Sequence, residues 1–131
     1  IQAMTSGHGG SMSTLHANSA ADSLHRLETM ALMSGIEIPL TALRAQVASA
    51  IDVVVQLSRL NDGRRVLMEV SEVGPLSTDF RYGVTKIYEY SGDLHSTRWT
   101  GNRSAFGDEV RQKGYAPLVD RTRDVFEVEA A

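Results

Sequence analysis

The stretch DVVVQLSRLNDGRRVLMEVSEV, Asp52 to Val73, constrains the fold more than any other part of the chain. A β-branched run enters a turn at Asn61-Asp62-Gly63, and a second apolar run leaves it. Asp-Gly supplies the positive φ that tight hairpin turns need, so the two runs are expected to pair antiparallel. The uninterrupted valines Val53 to Val55 predict a first strand buried on both faces.

Upstream the period changes from two to helical. Ser19-x-x-Asp22 is a weakened capping box, with Asn18 as an alternative cap. Ala20, Leu24, Leu27 and Ala31 then recur as one buried stripe with Met30 beside it, and His25, Arg26 and Glu28 fall off that stripe. Gly35 marks the stop. Pro39 opens a second helix, in which Leu40, Leu43, Val47 and Ile51 share a face. Before these helices, Ile1 to Thr5 reads as the last turn of a helix, Ser6 to Gly10 as a glycine loop, and Ser11 to His16 as a short strand. After Gly74-Pro75 come two short strands, VTKIYEY and TRWTG, an amphipathic helix over Ala105 to Lys113, and an irregular tail.

At 131 residues the chain fits one domain with a real core. A net charge of −3 argues against binding nucleic acid by electrostatics. Arginine dominates the 13 basic residues, reflecting either fixed carboxylate or phosphate contacts or GC-rich coding. The absence of cysteine excludes disulfides and thiolate metal sites. No apolar run reaches the roughly 20 residues of a membrane span, and the start lacks a signal-peptide pattern. Because Ile1 is not an initiator methionine, an upstream segment is expected.

Three of the four histidines lie in AMTSGHGGSMSTLHANSAADSLHRLE, Ala3 to Glu28. Neither Lys86 nor Lys113 has a Walker A context. HGGS without a Gly-x-Ser-x-Gly elbow argues against an α/β-hydrolase. His8, His16 and His25 lack the regular spacing and further ligand of a zinc site, so no metal is expected. In the plainest reading His16 is a satisfied polar residue at a strand end and His8 an exposed loop residue. That reading leaves the rest of the setting unexplained: a glycine loop, hydroxyls at Ser11, Ser13 and Thr14, and a helix start immediately after. Backbone amides, hydroxyls and imidazoles together form a phosphate-sensing set.

TSGHGGSMSTLHANSAADSLHRLETMALMSG resembles the His box and following helix of the type II/type IV secretion traffic ATPases. The branch it most resembles drives tight-adherence (Flp) pili, with ATPases of the CpaF/TadA kind. LRAQVASAIDVVVQLSRLNDGRRVLMEVSEV and TGNRSAFGDEVRQKGY are similar to the same branch. The resemblance implies an α/β fold: the C-terminal half of a RecA-like ATPase domain over residues 1–73, with a β-hairpin-rich, mainly antiparallel extension over 74–131. It implies a hexameric ATPase powering pilus assembly or secretion, cytoplasmic, and held at the inner membrane by platform proteins. His16 is then the closer γ-phosphate sensor, His8 its loop partner, and Gly7 the residue shaping the loop. Ser11, Thr14 and Arg26 are the remaining nucleotide-side candidates. ATP and Mg2+ belong to the full-length parent. With the Walker motifs missing, this stretch alone is expected to be inactive and to carry no bound cofactor. The alternative is a non-enzymatic interaction or oligomerisation module.

Overall fold

The computed structural model describes residues 4, 6, 10–35, 37–121 and 125. It is an α/β chain with a four-stranded antiparallel sheet of order β1-β2-β3-β4, the order of the strands in the sequence. Two compact units divide it: Ile1–Gln56 with Ser71–Thr85, and Leu57–Val70 with Lys86–Ala131.

In the first unit, helix α1 spans Ala20–Met33. Ser19 precedes it in extended backbone, and its hydroxyl accepts from the Asp22 amide at 3.1 Å, satisfying one of the amides left open at a helix start. At the other end the Ser34 amide donates to the Ala31 carbonyl and Gly35 adopts φ +76°. Helix α2 spans Leu40–Ala50. Leu24, Leu43, Val47 and Val73 form the core, with Leu27, Ala31, Ile38, Ile51, Val54, Tyr82 and Val84 packed around them. The expected stripes hold at most positions. Met30 and Leu40 depart from their stripes: Met30 is exposed on α1, and Leu40 is half-exposed at the first turn of α2, while Leu43 and Val47 carry the contact. Glu28 departs in the opposite sense, since it lies one turn beyond Leu24 on the inward face and is buried.

Strands β1 (Val53–Arg59) and β2 (Arg65–Gly74) form the expected hairpin. Its turn is closed by the Leu60 amide on the Arg64 carbonyl at 2.8 Å, with Gly63 at φ +88°. Burial of β1 on both faces is not observed. Val54 and Gln56 are half-buried, whereas Val53, Val55 and Leu57 are exposed. As an edge strand, β1 has one covered face, and the run of valines conceals that alternation. The expected strand over Ser11 to His16 is also absent: residues 11–17 belong to no helix or strand. Their imperfect alternation supplies no consistent apolar face to fix a register.

Strand β3 spans Gly83–Ser91 and β4 Ser96–Trp99, paired antiparallel with Tyr88 opposite Trp99 and Ser91 opposite Ser96. At the entry to β3, a Cβ on Gly83 would lie 2.9 Å from the Pro75 carbonyl, so only glycine fits there without a shift. In the second unit, Thr97 donates to the Leu67 carbonyl at 2.9 Å, and Thr100 and Asn102 to that of Lys86 at 2.7 and 2.8 Å. The single helix expected over Ala105 to Lys113 is broken into α3 (Gly107–Val110), a wide turn over Arg111–Tyr115, and α4 (Ala116–Arg121). Gly114 at φ +92° makes the kink.

Candidate functional site

The residues expected to sense phosphate lie at the approach to α1. Ser11, Thr14 and His16 are all exposed on the irregular segment. His8 and Gly7 fall outside the described residues. Arg26 is exposed on α1 and lines a shallow groove of about 390 Å³. Ala17 and Asn18, the two residues after His16, border the same groove, together with Asp22, His25 and Thr29. The fold thus brings Arg26 to the stretch that follows His16, while His16, Ser11 and Thr14 themselves are not among the groove's walls.

Behind the groove, on the inward side of α1, is a cluster that the sequence did not single out. Glu28 is 8% exposed and receives Arg44 Nε at 3.0 Å, with Nη2 at 3.5 Å on its other oxygen. The same guanidinium reaches the Phe80 carbonyl at 3.4 Å. His25 Nδ1 approaches Glu28 at 3.6 Å, and its ring meets Tyr82 edge-on at 5.6 Å between centroids. Burial by itself would raise the Glu28 carboxyl. The Tyr82 hydroxyl, the Arg44 guanidinium and the His25 ring outweigh that effect and hold it below the ordinary glutamate range. Burial, and then the Glu28 charge, push the Tyr82 phenol well above its ordinary value. The Tyr82 oxygen is buried without a partner in strict hydrogen-bond geometry, so its influence on Glu28 is one of proximity and dipole rather than a formed bond.

This division of labour separates Arg26 and Glu28, neighbours in the sequence motif Arg-Leu-Glu. Arg26 faces solvent and is available to an anionic ligand. Glu28 is already matched by Arg44 and ties α1 to α2 and to the segment leading into β3. A second polar tie holds the irregular segment itself: Gln56 Nε2 donates to the Ala17 carbonyl at 2.9 Å. No sequence signal pointed to it, since a lone amide side chain on a strand does not name a partner 39 residues away. Among the described residues, no group of three or more His, Asp or Glu side chains is placed to hold a metal ion.

His16 is thus exposed just before the Ser19 cap, and Arg26 is exposed within α1 itself. The chain belongs to the type II/IV secretion system protein family, whose sequence profile matches residues 1–105. It is 32% identical over 71 residues to "Putative conjugal transfer protein Rv3659c" of Mycobacterium tuberculosis (strain ATCC 25618 / H37Rv), covering 54% of this chain and 20% of the relative. "Putative conjugal transfer protein MT3759" of Mycobacterium tuberculosis (strain CDC 1551 / Oshkosh) matches with the same identity and coverage. The match therefore spans about a fifth of the length of these relatives. No helix among the described residues is long and apolar enough to cross a membrane.

Proposed function

We propose that this chain is the His-box-bearing part of a secretion-system ATPase of the tight-adherence (Flp) pilus, CpaF/TadA-like branch, built on a RecA-like domain that works as a hexamer. Membership of the type II/IV secretion system family over residues 1–105 is the observation that carries the reading. The exposed position of His16 beside the Ser19-capped start of α1 agrees with it.

In this mechanism the Walker elements that grip ATP and Mg2+ lie outside these 131 residues. His16, with His8 and Gly7 in the loop before it, reports on the γ-phosphate. An imidazole can donate a hydrogen bond to a phosphate oxygen, and it adds charge complementarity once protonated. Ser11, Thr14 and Arg26 supply further donors on the nucleotide side. Glu28, fixed to Arg44, keeps α1 in place beside the sensor segment. The ring works in the cytoplasm against inner-membrane platform proteins.

The test is ATP turnover by the complete gene product with His16→Ala. Nucleotide affinity should stay near wild type, since other residues grip the phosphates. Hydrolysis should fall about 10²–10³-fold, on the order of 3–4 kcal/mol, the scale for losing one preorganised group at developing charge. Wild-type turnover in a stably folded variant would refute the sensor role.

A further inference from the structure

Strand β1 has one covered face, and Val54 and Gln56 share it. Val54 packs against the core of the first unit, as an apolar residue there should. Gln56 is a carboxamide in the next inward position, and its Nε2 donates to the Ala17 carbonyl at 2.9 Å, across 39 residues of sequence. That contact matters because of what it holds. Residues 11–17 belong to no helix or strand, so no ladder of backbone hydrogen bonds fixes them. Downstream, the next anchor is Ser19, whose hydroxyl caps α1. Between the two anchors lies only Asn18, and immediately before them stands His16.

We propose that Gln56 is a positioning residue for His16: by gripping the Ala17 carbonyl from β1, it fixes the backbone that aims the imidazole. This rests on the reading of His16 as a phosphate sensor. The chemistry required at position 56 is specific. The side chain must donate, because its partner is a carbonyl oxygen, and it must reach from the strand to the segment. A glutamate of the same shape would set a carboxylate oxygen against that carbonyl and repel it. An alanine would leave the carbonyl to water and remove this tie on the backbone next to His16. Holding a reacting group in place is worth large rate factors, and a small displacement of the sensor forfeits part of them.

Two measurements separate the positioning role from the sensor role. In the 131-residue chain, imidazole NMR resonances of His16 (assigned with His16→Gln) are compared for wild type, Gln56→Ala, Gln56→Glu and Gln56→Lys. The first two variants should shift and broaden the His16 ring signals while those of His95 stay put. Gln56→Lys, which keeps a donor of sufficient length, should recover much of the wild-type spectrum. If Gln56→Ala fails to fold, the isosteric Gln56→Glu decides. A His16 signal unchanged in folded Gln56→Glu overturns the proposal, whatever the protein's activity. In the complete gene product, Gln56→Glu should lower kcat for ATP hydrolysis about 10-fold with KM for ATP within about twofold, and Gln56→Lys should restore most of it. A normal kcat in Gln56→Glu alongside a crippled His16→Ala also overturns it. Should His16→Ala itself turn over normally while the NMR signals respond, the sensor reading fails and the mechanical tie between Gln56 and His16 stands.

Discussion

Arg44 Nε lies 3.0 Å from Glu28 Oε1, joining helix α2 to the inward face of helix α1 at a carboxylate only 8% exposed. A charge buried to this degree costs more to strand than to replace, because its loss of hydration is offset only while its partner is present. Arg44→Ala is therefore expected to destabilise the chain by about 2–4 kcal/mol, slightly below the range for fully buried pairs because the guanidinium is itself 25% exposed. The double variant Glu28→Leu/Arg44→Met removes both charges and should be less destabilised than Arg44→Ala alone. Urea denaturation of these variants together with the singles Glu28→Leu and Arg44→Met closes the cycle, and purely additive losses would show that the pair is not coupled.

Gly83 permits a different kind of contact. Its position at the start of β3 brings its Cα against the Pro75 carbonyl, and a methyl group there would sit 2.9 Å from that oxygen. Backbone cannot swing aside as a flexible side-chain end can. Gly83→Ala is expected to cost about 1–3 kcal/mol, the scale of overpacking a close contact. Gly35→Ala is a useful comparison, since nothing lies within 4 Å of the added carbon and only the φ of +76° resists it. A larger loss at Gly35 than at Gly83 in thermal melts would reverse the assignment.

On β1 the valines are not equivalent. Val54 packs on the core, whereas Val55 is 57% exposed. Val55→Thr should change stability by no more than about 0.5 kcal/mol, while Val54→Thr, which takes a hydroxyl toward the core, should cost about 1–3 kcal/mol. Equal losses at the two positions would favour a strand covered on both sides.

That contrast also marks where the sequence stopped being informative. Elements set by local chemistry were legible: the Ser19 cap, the stripe of Leu24 and Leu27, the Gly63 turn, and the end of β2 at Gly74. Three consecutive valines hid which face of β1 is covered, because alternation can be read only where residue types differ. Ser11 to His16 offered strand-like residues without an apolar face, and a strand exists only with a partner. Glu28 looked like a surface charge until Arg44, 16 residues later, and Tyr82 appeared beside it. Gln56 and Ala17 are 39 residues apart, and a single polar side chain carries no sequence signature for such a tie. Around the candidate site, the Gln56 tie and the Glu28–Arg44 pair join residues too far apart in sequence to be read as partners.

The same cluster makes stability depend on pH at both ends of the range. Glu28 has a folded-state pKa below its ordinary value of 4.5, despite burial, because Tyr82, Arg44 and His25 favour the charged form. The unfolded chain then binds its proton more readily than the folded one, so the contribution of Glu28 is fully present above about pH 4.5 and is lost as pH falls through the lower folded value. Tyr82 has the opposite sign: burial and the Glu28 charge raise its pKa above 10.0, so its contribution is present below pH 10.0 and is lost as pH climbs toward the folded value. Glu28→Gln should flatten the acid limb of a plot of unfolding free energy against pH. It should also soften the alkaline limb, because the charge that resists phenol ionisation is gone. Tyr82→Phe should remove the Tyr82 share of the alkaline limb and let the Glu28 carboxyl titrate at a higher pH. Its cost at neutral pH should be small, about 0–1 kcal/mol, since no formed hydrogen bond is broken. Denaturation midpoints of the three proteins from acid to alkaline pH provide the check. An acid limb of wild-type steepness in Glu28→Gln would mean that another carboxylate governs acid unfolding.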